Sequence, residues 1–125
     1  MLRVPTRLGP SSIHGLGIFA VERIPAGTVV WDFDPPIDQR IRVDDLAKQP
    51  DHVQRYAAVY GYREGEWIVL CGDDARFMNH SKKPNCQSHA GATIARRDIE
   101  PGEELTDDYE TFDADWEKYR DSMRG

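Results

Sequence analysis

The chain has 125 residues, of which 16 are Lys or Arg and 22 are Asp or Glu, giving a formal net charge of −6. This length suffices for one domain with a modest core, and no segment approaches the roughly 18 apolar residues of a membrane-spanning helix. The negative charge disfavours direct nucleic-acid binding and suits a basic partner, such as a Lys- or Arg-rich peptide, although solubility alone would explain it equally well.

Short strands dominate the first third of the chain. Alternating apolar and polar residues predict a strand over residues 2–8, and apolar, β-branched runs predict strands over residues 18–21 and 28–33. Residues 24–27 and 99–102 repeat an apolar residue, a proline turn and a glycine. We interpret this repeat as shared turn chemistry and not as a duplication.

Helical spacing of apolar residues is confined to two places. Residues 43–60 predict one internal helical stretch, which Pro50 should split into two short helices, and residues 113–123 predict a terminal helix. Further strands are predicted over residues 66–70 and 92–95. Many short strands, little helix and frequent turns together predict a compact α+β domain that is mostly β.

Two segments do not follow a regular helix or strand pattern. Residues 76–85 read Arg-Phe-Met-Asn-His-Ser-Lys-Lys-Pro-Asn, and they mix apolar residues with side chains that bond their own backbone and with a turn-fixing proline. Residues 102–109 read Gly-Glu-Glu-Leu-Thr-Asp-Asp-Tyr. Near the start, Gly15-Leu16-Gly17 lies between a turn and a strand, where glycine permits close approach of the backbone to a ligand.

These three segments together resemble the SET-domain family of protein lysine methyltransferases, over roughly residues 14–109. The resemblance implies a SET-domain fold of small curved sheets with a pseudoknot-like threaded crossing. It also implies a single SET domain over residues 1–125, with a core at about 14–109 and a C-terminal helical segment at 110–125.

The resemblance implies S-adenosyl-L-methionine as the cofactor and S-adenosyl-L-homocysteine as its product. Main-chain groups of Gly15-Leu16-Gly17 would cradle the methionine portion, and Asn79 and His80 would contact the cofactor, Asn79 also through its amide. The implied cofactor-binding residues are Gly15, Leu16, Gly17, Arg76, Phe77, Asn79, His80 and Tyr109.

The implied catalytic residue is Tyr109, which matches the tyrosine that closes the family motif where the methyl group passes to lysine. Methyl transfer is an in-line displacement whose barrier falls mainly by alignment and exclusion of water. The attacking lysine must be neutral, and a low-dielectric channel beside a sulfonium lowers its pKa, so no general base is predicted.

Aromatic side chains are expected to line a lysine channel, because they fit both the apolar stem and the cationic head. For any one of them, ordinary core packing is the alternative. Tyr60 or Tyr62 would supply a second hydroxyl, and Trp116 or Phe112 would cover the adenine or line the lysine entrance. The predicted substrate-binding residues are Tyr60, Tyr62, Asp107, Phe112 and Trp116.

The sequence departs from the family at three points. Lys82 stands where many members have a zinc-binding cysteine, and no cysteine follows Cys86, so no metal is predicted and Cys71 and Cys86 are expected to be reduced and half-buried. Asp107 stands where many members have Tyr or Phe, which leaves the number of methyl groups unreadable; its carboxylate would face the substrate and attract a cation. The short segment before Trp67 predicts that a partner or a second copy, as a homodimer, completes the substrate groove.

The sequence therefore predicts a stand-alone protein-lysine methyltransferase acting on a basic protein or peptide, such as a histone tail, a histone-like protein or a ribosomal protein. Lys82 and Asp107 favour the alternative of a non-catalytic interaction module that still binds the cofactor. A third reading is an unrelated β-rich binding protein. The N-terminus lacks a signal-peptide pattern, so an intracellular, soluble protein is expected, either cytoplasmic or nuclear.

Overall fold

The structure is a computed structural model that describes residues 1–89 and 91–108. The predicted terminal helix over residues 113–123 lies outside the described residues. In chain order, the elements are β1 (Thr6–Pro10), β2 (Leu16–Ala20), β3 (Val29–Asp32), β4 (Gln39–Arg42), α1 (Val43–Leu46), α2 (Asp51–Tyr60), β5 (Tyr62–Glu64), β6 (Trp67–Leu70), a 3-10 helix (Asp74–Phe77), β7 (Asn79–His80), β8 (Cys86–His89), β9 (Ala92–Ala95) and β10 (Thr106–Asp107).

The described strands form four small sheets. Strands β1 and β2 make an antiparallel pair, and two three-stranded antiparallel sheets have the orders β3-β9-β8 and β4-β6-β5. The fourth sheet pairs β7 with β10 in parallel. Parallel strands require a crossover connection, so this pair brings together segments that are distant in the chain.

The predicted elements agree with the structure where local signals are strong. The helical stretch is divided as expected, with Pro50 at the N-cap of α2. The predicted strand over residues 2–8 is split, because Leu2 bridges to Trp31 of β3 while β1 begins at Thr6. Pro5, which has no N–H to donate, lies between the two pairings.

Two apolar clusters hold the sheets together. The larger one packs β2, β3 and β9 around Ile18, Ile99 and Leu105, each 0% exposed, and the smaller one packs the helices against Ile68 of β6. The two repeated turns meet in the larger cluster, where Ile24 and Ile99 exchange backbone hydrogen bonds of 2.8 Å in both directions. Among the described residues, no helix has the length and apolar character to cross a membrane.

Candidate active site

The parallel pair β7–β10 joins the two irregular sequence segments. Asn79 lies opposite Thr106 and His80 opposite Asp107. Asn85, which is 3% exposed, extends this contact: its Nδ2 donates to the Glu104 carbonyl at 2.7 Å, and its Oδ1 accepts from the Thr106 N–H at 2.9 Å. The amide of Asn85 therefore substitutes for missing ladder bonds and fixes the end of the first segment to β10.

The Asn79 side chain ties this pair to the glycine-containing loop. Its Nδ2 donates to the carbonyl oxygens of His14 and Leu16, both at 3.0 Å, and to Oε2 of Glu104 at 2.9 Å. The three predicted cofactor-binding segments thus meet at one amide nitrogen. Since that nitrogen is engaged by the protein itself, its contact with a cofactor stays a prediction.

Glu104 is a central residue of the site that no sequence pattern indicated. The chain after Gly102 runs along β2, with the Leu105 N–H donating to the Ile18 carbonyl at 2.8 Å, and this places Glu104 beside the loop. Both carboxylate oxygens accept from Oγ of Ser11, at 2.8 and 2.9 Å. A Gly-Glu-Glu-Leu sequence looks like an ordinary strand start, so nothing local distinguished Glu104 from its neighbour.

A cavity of about 200 Å³ opens beside this meeting point. At Gly15 the backbone has a φ of +49°, which favours glycine, and a Cβ added there would meet no atom within 4 Å. Open main chain at a cavity wall is the feature expected where backbone approaches a ligand. The lining residues are His14, Gly15, Leu16, Val59, Tyr60, Arg76, Phe77, Met78 and Asn79.

The cavity brings together most of the predicted cofactor residues that the structure describes. Gly15, Leu16, Arg76, Phe77 and Asn79 all contribute to its wall. Of the described residues predicted for the cofactor, two lie outside this lining: Gly17 is buried behind the loop, and His80 is half-buried in β7. The Nδ1 atom of His80 lies 3.5 Å from Oδ1 of Asp108.

The structure separates the two candidate tyrosines. Tyr60, at the end of α2, lines the cavity and packs edge-on against Phe77 with ring centroids 6.0 Å apart. Tyr62 lies in β5 opposite Val69, outside the cavity lining, and burial next to Cys71 raises the pKa of its phenol. The roles of both residues toward a substrate stay predictions, but only Tyr60 adjoins the predicted cofactor residues.

Asp107 is buried, with 2% of its surface exposed. Its Oδ2 accepts from Oγ of Ser88 at 2.6 Å, its Oδ1 accepts from the Asp108 N–H at 2.8 Å, and Ser88 continues to Oγ1 of Thr93 at 3.1 Å. Burial raises the pKa of Asp107 to about 6, although these hydrogen bonds oppose the shift. The carboxylate thus binds Ser88 of β8 and the Asp108 amide, and its predicted contact with a substrate stays a prediction.

Both cysteines are free thiols. Cys71 is half-buried, as expected, whereas Cys86 is fully buried, and burial raises the pKa of each thiol to about 12. Within residues 1–89 and 91–108, no group of three or more His, Cys, Asp or Glu side chains is arranged to hold a metal ion.

Three predicted site residues lie outside the described residues: Tyr109, Phe112 and Trp116. Strand β10 ends at Asp107, which pairs with His80, and Tyr109 follows two residues later in the sequence. The role of Tyr109 in catalysis stays a prediction.

The SET-domain family model matches residues 15–110, and the chain belongs to this family. It is 35% identical over 113 residues to a histone-lysine N-methyltransferase, H3 lysine-4 specific, of Schizosaccharomyces pombe, covering 81% of this chain and 12% of that protein. The Aspergillus oryzae protein of the same name is 32% identical to this chain over 127 residues. This match covers 90% of this chain and 10% of the A. oryzae protein. The chain therefore spans only about a tenth of the length of these relatives.

A solved structure shows the same fold. A humanized mutant of the Chaetomium thermophilum Polycomb Repressive Complex 2, bound to the inhibitor GSK126, has a TM-score of 0.69 at 22% identity, covering 89% of this chain and 15% of that one. The family resemblance and the α+β, mostly β fold class are thus confirmed.

Proposed function

We propose that this chain is an S-adenosylmethionine-dependent protein-lysine methyltransferase, formed by a single SET domain over residues 1–125. The observation that carries the proposal is the β7–β10 pairing, which puts the Asn79 segment and the segment leading to Tyr109 side by side. The Asn79 amide then holds the Gly15 loop against both. Methyl transfer requires that the donor and the acceptor be held in line, and converging segments of this kind can supply that alignment.

The residues around the cavity fit the methionine end of the cofactor. The open backbone at Gly15 allows close approach, and the Arg76 guanidinium at the wall suits a carboxylate. The cavity has a volume of about 200 Å³, whereas small-molecule sites commonly have volumes of about 300–1,000 Å³. It would therefore hold only part of the cofactor. Gly15, Leu16, Arg76, Phe77 and Asn79 would hold this end, with Gly17 and His80 in support.

When bound, S-adenosylmethionine supplies a methyl group on a positively charged sulfur. The protein's own contribution is orientation and exclusion of water. Tyr60, whose ring packs edge-on against Phe77 of the cofactor wall, would offer an aromatic surface to the lysine stem and its head group. The Tyr109 phenol would orient the lysine nitrogen, and a dry channel would keep that nitrogen neutral by lowering its pKa.

A basic protein or peptide is the proposed substrate class, with a histone as the first candidate. The net charge of −6 favours a cationic partner, and the two curated relatives are described as specific for lysine-4 of H3. A histone substrate would place the protein with chromatin. A homodimer completing the substrate groove stays a prediction, to be checked by sedimentation equilibrium.

Transfer of labelled methyl groups from S-adenosylmethionine to a panel of histones and lysate proteins tests this function. Wild-type protein should transfer the label to lysine in at least one protein of the panel. Tyr109→Phe should lower the rate of transfer by about tenfold or more, while its affinity for the cofactor stays within a few-fold of the wild-type affinity. Labelling by wild type that is unaffected in Tyr109→Phe would remove Tyr109 from the catalytic role.

A non-catalytic interaction module is the second candidate, and Asp107 is the observation that favours it. Where many family members carry an aromatic residue, this chain buries a carboxylate that binds Ser88. Measurable cofactor binding without transfer to any protein of the panel would support the module over the enzyme.

A further inference from the structure

The carboxylate of Glu104 links the loop over residues 11–17 to the Asn79 side chain. We propose that Glu104 is a positioning residue for the cofactor cavity, and that Gly17 is a glycine because this carboxylate occupies the space beside it. The inference rests on the proposed cofactor site. It assigns a task to Ser11, Gly17 and Glu104, none of which lines the cavity.

The direction of each hydrogen bond at Ser11 follows from its neighbours. Oγ of Ser11 accepts from the backbone N–H groups of Ile13, at 2.9 Å, and His14, at 3.3 Å. Both lone pairs of the hydroxyl are thereby used, so its single hydrogen points to the Glu104 carboxylate. The Ser11 N–H also donates to the Gly15 carbonyl at 2.8 Å and closes the loop on itself.

The direction of the Asn79 amide is fixed in the same way. Its nitrogen faces three acceptors, which are the carbonyls of His14 and Leu16 and the Glu104 carboxylate. Asn79 donates to Oε2 of Glu104, and the single Ser11 hydroxyl hydrogen is shared between Oε1 and Oε2, so both carboxylate oxygens face donors. An ionised carboxylate meets this requirement, and bonds of this kind are stronger than those between neutral groups.

Gly17 has a steric reason to be glycine. Its φ is not in the left-handed region, so conformational freedom does not explain it. A Cβ at this position would overlap Oε2 of Glu104, lie 2.8 Å from its Cδ, and lie 3.2 Å from Nδ2 of Asn79. A shift of the carboxylate away from this Cβ would lengthen or break its bonds to Ser11 and Asn79.

These contacts connect the cavity wall into one hydrogen-bonded unit. His14, Gly15 and Leu16 line the cavity, and each is bonded directly to Ser11 or Asn79, which Glu104 holds together. A site already in its bound shape loses less conformational entropy on binding. Glu104 should therefore control cofactor affinity without touching the cofactor.

The test compares Glu104→Gln with Glu103→Gln. A glutamine at position 104 puts an NH2 group against Ser11 or Asn79, so a donor faces a donor. Glu103 is the matched control, because it lies next in the chain but pairs with Arg97 at 3.0 Å on the surface. Calorimetric titration with S-adenosylhomocysteine gives the dissociation constant, and hydrogen exchange reports the opening of residues 11–17.

Glu104→Gln should weaken S-adenosylhomocysteine binding by about tenfold and speed exchange in residues 11–17, while Glu103→Gln changes neither. A purely structural role would lower the melting temperature but leave affinity and local exchange unchanged well below that temperature. If Glu104→Gln does not fold, Ser11→Ala, which keeps the carboxylate, decides by the same two measurements.

Two failures are distinguishable. Wild-type protein that does not bind S-adenosylhomocysteine would overturn the proposed function and this inference with it. Wild-type binding that is unchanged in Glu104→Gln and in Ser11→Ala would overturn this inference alone and leave the proposed function standing.

Discussion

The buried carboxylate of Asp107 makes the stability of the protein depend on pH in a defined direction. In Asp107→Asn, the Asn oxygen can still accept from the Asp108 N–H, and the new NH2 group can donate to Ser88, whose hydrogen then points to Thr93. The substitution therefore removes the charge and keeps the hydrogen-bond chain.

The magnitude follows from the raised pKa. Burial raises the pKa of Asp107 from 3.8 to about 6, so the folded state binds the proton more tightly than the unfolded state. Stability should fall as pH rises from about 4 to about 6, and the ionised group then costs about 3 kcal/mol, from about two pKa units at about 1.36 kcal/mol each. The neighbouring charges are Asp108, which raises this pKa, and Arg96, which lowers it.

Urea denaturation followed by tryptophan fluorescence, from about pH 4 to about pH 8, measures the effect. The free energy of unfolding of Asp107→Asn minus that of wild type should increase by about 3 kcal/mol over this range. Asp44→Asn, at an exposed site in α1, corrects for the general loss of one negative charge. Parallel curves for Asp107→Asn and wild type would refute the assignment of a raised pKa to this residue.

Three further variants or reactions test the packing. Gly17→Ala should lower the free energy of unfolding by about 1–3 kcal/mol, and so the melting temperature by several degrees, because the new Cβ overlaps the Glu104 carboxylate. An unchanged melting curve would show that the carboxylate moves freely. Ile99→Ala should lower the free energy of unfolding, measured by urea denaturation, by about 2–5 kcal/mol, because Ile99 is fully buried where the two repeated turns meet. A decrease of less than about 1 kcal/mol would contradict that packing. Cys86 should react with a thiol reagent only when the protein unfolds, because its side chain is buried and its pKa is raised to about 12. Labelling of Cys86 in the native protein would refute this prediction. The half-buried Cys71 serves as the internal comparison.

Local signals were sufficient for the elements that they specify. Pro50 divides the helical stretch because it cannot continue a helix, and the β-branched run over residues 92–95 forms β9 within its predicted bounds. Strand β4, with the sequence Gln-Arg-Ile-Arg, was missed because it has one apolar residue and exists only through pairing with β6.

The site itself depends on contacts between distant segments, which no local pattern encodes. Strands β7 and β10 have two residues each, and each is a strand only because the other lies beside it. Helix α2 ends at Tyr60 and β5 begins at Tyr62, with Gly61 extended between them at a point where a Cβ would lie 2.7 Å from the Ala57 carbonyl. The sequence therefore predicted a tyrosine near the site but not which one.

A crystal structure of the protein with bound S-adenosylhomocysteine would test whether the three segments form the cofactor site. We expect the amino-acid end of the ligand to lie in the cavity between Gly15 and Arg76, and the phenol of Tyr109 to lie where a lysine would meet the sulfur from the opposite side. Ligand bound elsewhere on the surface, or a Tyr109 phenol well removed from the Asn79 segment, would contradict it.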